Sequence, residues 1–436
     1  MSPPTIERPL STHELGFIDL SSNSRQQVVT GTMFLQGSAS RDLLRLSLNE
    51  FVKTNEQFRC YISAETEPRW ITHTEFDLEN HLETIDLREG DKDSVLTLAA
   101  NQAASGLPDG LPPWRISLVR YIDRNDQQPR TALLITAHHS LLDGLQGLKL
   151  VDHLTLQRRK GRKAPIDHHI TTPTSRNSRI ATLFALGRDC LRFPPKALRV
   201  MRRLQTPQRQ SFSITIPREG LDHRRKNLNC GFQELILGIL GDALSRYSFE
   251  CNKIRKVRAL LPVGRPEAAS ETFTSNRHDV GFIELSSPDD ASTGALQSAV
   301  SRIRKQIARI RSEQSDGVFS TILTIGSRLP SVARKYFFSL YANQADILIS
   351  LIPAGRKLRN LQSSTVSSVF AQPALPPGHG LSVGIVTYAD NVTMALQFDP
   401  NVFREPKRLV RLIEQKANEW NPHGYTSLIP QSSGIV

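Results

Sequence analysis

The sequence is poor in the features that mark most specialised protein classes. Its four cysteines (Cys60, Cys190, Cys230 and Cys251) are scattered. They show no spacing that would hold zinc or run dithiol exchange, so free thiols in a reducing compartment are expected. No apolar run reaches the ~18–20 residues of a membrane-spanning helix. Aromatic residues make up only 6% of the chain, and no aromatic platform or recognised binding motif accompanies its basic residues, which argues against nucleic acid as a partner. There is no GxSxG nucleophile elbow and no Cys/His nucleophile signature. The opening MSPPTIERPLSTHELGF lacks the charged-then-apolar layout of an export signal, so a cytoplasmic protein is expected. No internal repeat and no low-complexity tract is visible.

What is present is a chain of 436 residues, 39% hydrophobic, with a formal charge of +13. That length exceeds one ordinary core, so two halves sharing a cleft are expected. The charge is concentrated. Between Arg158 and Arg209 stand fourteen Lys or Arg residues against Asp167 and Asp189 alone, which accounts for nearly all of the excess. Apolar residues alternate with these cations, and Pro194-Pro195 divides the stretch. Such a segment suits the surface of an anionic membrane or lipid particle, and a solvated interdomain linker has the same composition. It divides the chain into an N-terminal half (1–156), a basic linker (157–210) and a C-terminal half (211–436).

The most informative feature is HHSLLDG, His138 to Gly144. A chance match to HHxxxDG is expected in roughly one chain of this length in a thousand. Thr131 to Ala137 (TALLITA) reads as a buried strand, and Arg115 to Ile122 (RISLVRYI) as its neighbour across the polar turn Asp123 to Arg130. After Asp143-Gly144 the period becomes helical, with Leu145, Leu148, Val151 and Leu154 on one face. Two histidines therefore stand at a strand-to-helix junction. Side chains on a strand alternate faces, so one of them points into a given cavity and the other away. The pattern suggests a general base; a pair of structural histidines at a strand end is the plainer alternative.

Further on, Phe232 to Tyr247 reads as a buried helix, and Leu296, Val300, Ile303, Ile307 and Ile310 mark a long amphipathic one. Leu381 to Tyr388 and Val392 to Phe398 form a hairpin around Ala389-Asp390-Asn391, and a last helix runs from about Pro406 to Trp420. Strands and helices are mixed in both halves, so the fold class is α/β or α+β.

HHSLLDG, the preceding LPPWRISLV (Leu111 to Val119) and the following LQGLKLVDHL resemble the bacterial wax ester synthase/diacylglycerol acyltransferase family, part of the CoA-dependent acyltransferase superfamily that also holds the condensation domains of peptide synthetases. Pro68 to Leu87, Pro262 to Arg265, Asn276-Arg277 and Gly380 to Tyr388 follow in the family's order, so the resemblance covers nearly the whole chain. There are departures. The family's Pro-Leu-Trp is Pro112-Pro113-Trp114 here, its Asn-Asp pair falls on Gln233-Glu234, and its Ser-Asn-Val-Pro-Gly-Pro loop falls on Ser350 to Gly355. The N-terminal motif is blurred in STHELGF. A divergent member is expected.

The resemblance implies two chloramphenicol-acetyltransferase-like halves with the active site and a tunnel at their interface. It implies acyl-CoA as co-substrate with no further cofactor and no metal, and a fatty alcohol, diacylglycerol or similar hydroxyl-bearing acceptor. A condensation-type enzyme, joining a carrier- or CoA-bound acyl group to an amine or hydroxyl, is the alternative. Peripheral attachment to membranes or lipid droplets would run through residues 158–209. By the family pattern His139 is the general base, His138 holds the junction on the other face of the strand, Asp143 is structural and pairs with an arginine for which Arg59 is the candidate, and Gly144 permits a tight turn and offers its N–H to the oxyanion. Asn276, Trp114 and Gln233 are the candidate substrate contacts, with packing under the strand the alternative for Trp114 and a turn role for Asn276.

Overall fold

The computed structural model describes residues 7–21, 26–65, 67–155, 208–250, 257–264, 278–285, 295–315, 318–376, 378–403 and 405–420. The first half contains β1 (Glu7–Pro9), α1 (Thr12–Leu20), β2 (Val28–Gln36), α2 (Arg41–Thr54), β3 (Cys60–Ile62), β4 (Arg69–Thr72), β5 (Leu82–Gly90), α3 (Lys92–Ser105), β6 (Trp114–Asp123), β7 (Pro129–His138) and α4 (Gly144–Thr155). The second contains β8 (Gln210–Pro217), α5 (Arg218–Asn227), α6 (Phe232–Glu250), β9 (Arg258–Gly264), β10 (His278–Glu284), α7 (Ala295–Ser315), α8 (Val318–Ser327) and α9 (Ser331–Ala342). It continues through β11 (Ile347–Gly355), β12 (Asn360–Leu361), β13 (Ser364–Gln372), β14 (Leu381–Tyr388), β15 (Asn391–Phe398) and α10 (Pro406–Trp420).

Each half is built on a six-stranded mixed sheet, ordered β12-β13-β2-β7-β6-β5 in the first and β10-β9-β11-β14-β15-β8 in the second. The two are not cleanly sequential. β12 and β13 belong to the second half in the chain, yet β13 pairs antiparallel with β2 and completes the first half's sheet. The second half therefore lends a strand pair to the first half's sheet, which the linear division at 211–436 does not anticipate. β13 also crosses the second sheet, where Tyr388 donates its hydroxyl hydrogen to the Val366 carbonyl at 3.1 Å and Thr393 donates to that of Val369.

Alternation along β11 shows how the second half is layered. Ile347, Ile349 and Leu351 join the core shared with α6, α7 and α10, whereas Leu348, Ser350 and Ile352 face the opposite way, into a cavity between the halves. Other ties join the halves at α3, whose Asp93 carboxylate accepts from the Ser213 backbone N–H at 2.7 Å and from its hydroxyl at 2.6 Å.

Most of the basic segment lies outside the described residues. Its last cation, Arg209, is buried at 3% exposure against Asp399 at 0%, 3.8 Å away, so this arginine is not part of a solvated cationic surface. Cys60 and Cys230 are buried free thiols. Among the described residues, no helix is long and apolar enough to cross a membrane.

Candidate active site

β7 ends at His138, and the chain then turns into α4. His138 is paired with Val28 on β2, and the His139 N–H donates to the Gln27 carbonyl at 2.7 Å, which extends the ladder by one bond. The two imidazoles part company there, as strand alternation requires.

His138 is buried at 4% exposure. The Ser140 backbone N–H donates to its Nδ1 at 3.2 Å and the Ser140 hydroxyl contacts the same nitrogen at 2.8 Å. Nδ1 is thus an acceptor, and the ring proton sits on Nε2, which donates to Ser21 Oγ at 3.1 Å. That hydroxyl also accepts from the Gln27 N–H and passes its own hydrogen to the Phe17 carbonyl. Burial, reinforced by the adjacent His139, lowers the His138 pKa to about 3. His138 is therefore a neutral clasp that joins the end of α1 to the end of β7.

The sign of its effect on stability follows. The unfolded imidazole takes a proton near pH 6.5 and the folded one only near pH 3. Its contribution is complete above the unfolded value and is lost as pH falls between the two, by up to ~1.4 kcal/mol per pH unit. In urea unfolding between pH 7 and pH 4, the wild type should lose stability more steeply than His138→Gln by about that slope; parallel curves would refute the neutral clasp.

His139 is half-buried and lines the cavity. Phe17, carried by α1, stacks on its ring at a centroid distance of 4.1 Å and an interplanar angle of 7°. Phe17 lies within STHELGF, which carries no local signal of a site, and only the fold brings it to the histidine. α1 is placed with care. Ser11 and Glu14 form a capping box at its start, Gly16 approaches Leu323 and Phe338 of the second half, and Asp19 is ion-paired with Arg334 of α9.

Asp143 is buried and forms a second capping box. Its carboxylate accepts from the Gln146 N–H at 2.7 Å, and Gln146 Oε1 accepts from the Asp143 N–H at 3.0 Å. No ion pair joins Arg59 to Asp143 among the described residues. Arg59 instead closes a short 3-10 turn before β3, and its carbonyl accepts from the His73 N–H at 2.8 Å. Asp143→Ala should cost about 1–2 kcal/mol through the lost cap, while Asp143→Asn, an equally good cap, should cost less than half of that in chemical unfolding. Equal losses would show that the charge matters more than the cap.

Gly144 opens α4 without a left-handed φ, so a strained turn is not its reason. A Cβ there would lie 2.8 Å from Ile352 Cδ1 and 3.1 Å from its Cγ1, so the glycine lets β11 approach the helix start. Trp114 is buried beneath the sheet, its Nε1 donating to the Phe58 carbonyl at 2.7 Å and its ring stacked on His81 at 4.5 Å. It does not line the cavity. Gln233 is in the first turn of α6, which packs on the face of the second sheet turned away from the cavity, so it too stands apart from His139. Asn276 lies outside the described residues.

The cavity has a volume of about 150 Å³ and is walled by both halves: Phe17, Val29, Gly31, Ile135, Leu148 and Val151 from the first, Leu260, Leu348, Ser350, Ile352 and Val386 from the second, with Val369 to Ala374 at the crossing. Among the described residues that line it, His139 and Asp143 alone carry ionisable side chains, and no cysteine is present. Among the described residues no group of three or more His, Cys, Asp or Glu is placed to hold a metal ion.

Comparison with known proteins identifies the family. Residues 25–217 match the wax ester synthase/diacylglycerol acyltransferase catalytic domain, and residues 261–420 match the C-terminal domain of the same family. The chain is 21% identical over 451 residues to the O-acyltransferase WSD of Acinetobacter baylyi, covering 94% of this chain and 96% of that protein. It is 22% identical over 365 residues to a probable diacylglycerol O-acyltransferase of Mycobacterium tuberculosis, covering 72% and 74%. The solved wax ester synthase/diacylglycerol acyltransferase of Marinobacter aquaeolei superposes with a TM-score of 0.64 at 15% identity, over 94% of this chain and 98% of that one. The α/β fold of two sheet-based halves is shared with it. The chain belongs to the wax ester synthase/diacylglycerol acyltransferase family of O-acyltransferases.

Proposed function

We propose that the protein transfers a fatty acyl group from acyl-CoA to the hydroxyl of a fatty alcohol, a diacylglycerol or a similar acceptor, with His139 as general base and no covalent acyl-enzyme. The observation that carries this is His139 itself, presented at the end of β7 into an apolar cavity walled by both halves. An alcohol is too weak an acid to attack a thioester unaided at neutral pH, so a base must take its proton as the new C–O bond forms. Neutral imidazole suits that task, and Phe17 stacked on its face limits where the ring can turn. The tetrahedral adduct then expels the CoA thiolate, to which the imidazolium returns the proton, so the ring ends as it began. Asp143 acts at one remove. By capping α4 it fixes the turn on which His139 is held.

Apolar walls favour acceptors that bring little water with them, which suits lipid alcohols better than polar amines. Incubation of the pure protein with labelled palmitoyl-CoA and a panel of long-chain alcohols, diacylglycerol and amines tests the reading. Ester formation in the absence of a carrier protein is expected. Amide products or strict dependence on a carrier protein would overturn it in favour of a condensation-type enzyme.

A further inference from the structure

Gly31 is a glycine in the middle of a central strand, a position where the residue weakens the sheet and therefore calls for a reason. Three ordinary reasons are absent. Its φ is not in the left-handed region. Its register is regular, opposite Ile135 on one side and Ala371 on the other, away from the bulge in β13 between Val366 and Ser368. A Cβ built on it meets no atom within 4 Å. What it does have is a position on the cavity wall.

We propose that Gly31 is a specificity-determining residue: its missing side chain is the passage for a substrate alkyl chain and sets the chain length accepted. The inference rests on the acyltransferase reading above. Gln27, just before β2, and Val29 and Gly31 along it lie on one face of the strand and line the cavity; Thr30 between them also borders it but bonds its hydroxyl to that of Thr136, and the next residue on the first face, Met33, is buried in the first half's core at 1% exposure. Gly31 is thus the last open position before a wall. At the other end of the row, the Gln27 carbonyl holds the backbone of His139. Four residues separate these points, about 13 Å at ~3.3 Å per residue, so a chain whose carbonyl sits at His139 and whose tail follows β2 passes Gly31 only if it is long. A side chain there would stand in its path.

The chain could be the acyl group of the thioester or the alkyl group of the acceptor, and the two are separated by varying one at a time. Wild type, Gly31→Ala, Gly31→Val and Gly31→Leu would be assayed with acetyl-, octanoyl- and palmitoyl-CoA against one alcohol, then with short and long alcohols against one acyl-CoA. The expected result is a ratio of long-chain to short-chain kcat/KM that falls with side-chain size, by about 10- to 200-fold for the larger residues, in one series. Which series responds names the chain. Binding of palmitoyl-CoA and acetyl-CoA by calorimetry needs no turnover, and Gly31→Leu should weaken the former relative to the latter if the acyl chain is the one concerned. A ratio unchanged in both series overturns the proposal. If the wild type transfers no acyl group, the functional reading fails, and the proposal then stands or falls on binding of palmitoyl-CoA and of a long-chain alcohol, each measured alone: wild-type binding of either one lost in Gly31→Leu supports it, and binding of both equal in the two proteins, or absent in both, overturns it. β-branched residues suit a strand, so Gly31→Val should fold, and Gly31→Ala guards against a misfolded larger variant.

Discussion

His139→Ala is expected to lower acyl transfer by about 100- to 10,000-fold in a protein that folds as the wild type does. The range is that of a lost general base, and its lower bound is set by what remains. The cavity would still bind both substrates side by side, which by itself raises the rate over solution. The loss should fall on kcat more than on KM, because the proton is in flight only in the transition state. Removing the ring leaves Phe17 without its stacking partner but disturbs no core, since His139 is half-buried and its ladder bond to Gln27 is made by the backbone. His138→Gln makes the contrast. Loss of that buried ring should lower stability first, and rate only through α1 and the turn it clasps. A well-folded His139→Ala protein with more than a tenth of the wild-type turnover would remove His139 from the chemistry.

The second large effect is on the joint between the halves. Gly384 lies on β14 where β13 crosses it, and a Cβ there would stand 1.7 Å from the carbonyl oxygen of Ala371 and 3.0 Å from Pro373 Cδ. Both obstacles are backbone or ring atoms held in place by neighbours, since Ser382 donates to the Pro373 carbonyl and Ala371 is paired with Gly31. No rotamer change can relieve such a clash. Gly384→Ala should therefore cost on the order of 4 kcal/mol or more, against the smaller penalties of ordinary overpacking. Chemical unfolding, or the soluble yield if the variant does not fold, checks it. Gly31→Ala is the control, being also a glycine within a strand but one whose Cβ meets empty space. A stability loss below about 1 kcal/mol for Gly384→Ala would mean that the two sheets do not meet as closely as described.

These two glycines show what a sequence conceals. Each interrupts a strand pattern, and nothing local separates one that admits a neighbouring carbonyl from one that opens a cavity. Arg209 is a similar case. It closes a run of cations that reads as one surface, yet it is buried against Asp399 at the far end of the chain. The family resemblance pairs Asp143 with Arg59, yet the carboxylate caps its own helix, because the helix N-terminus offers N–H donors one turn away.

Local order, by contrast, was legible from residue pattern. The helix at Pro406–Trp420 and the hairpin Leu381–Phe398 are found where period and turn residues place them, with Tyr388 facing Asn391 across a two-residue turn. The strand-turn-helix around HHSLLDG follows from an apolar run, a polar pair and a change of period, and strand alternation alone requires its two histidines to face apart. Chain order could not decide which sheet receives β13, that Phe17 lies on His139, or that Gln233 stands behind the second sheet. Those are contacts between segments tens to hundreds of residues apart, chosen by packing and shape rather than by any period in the chain.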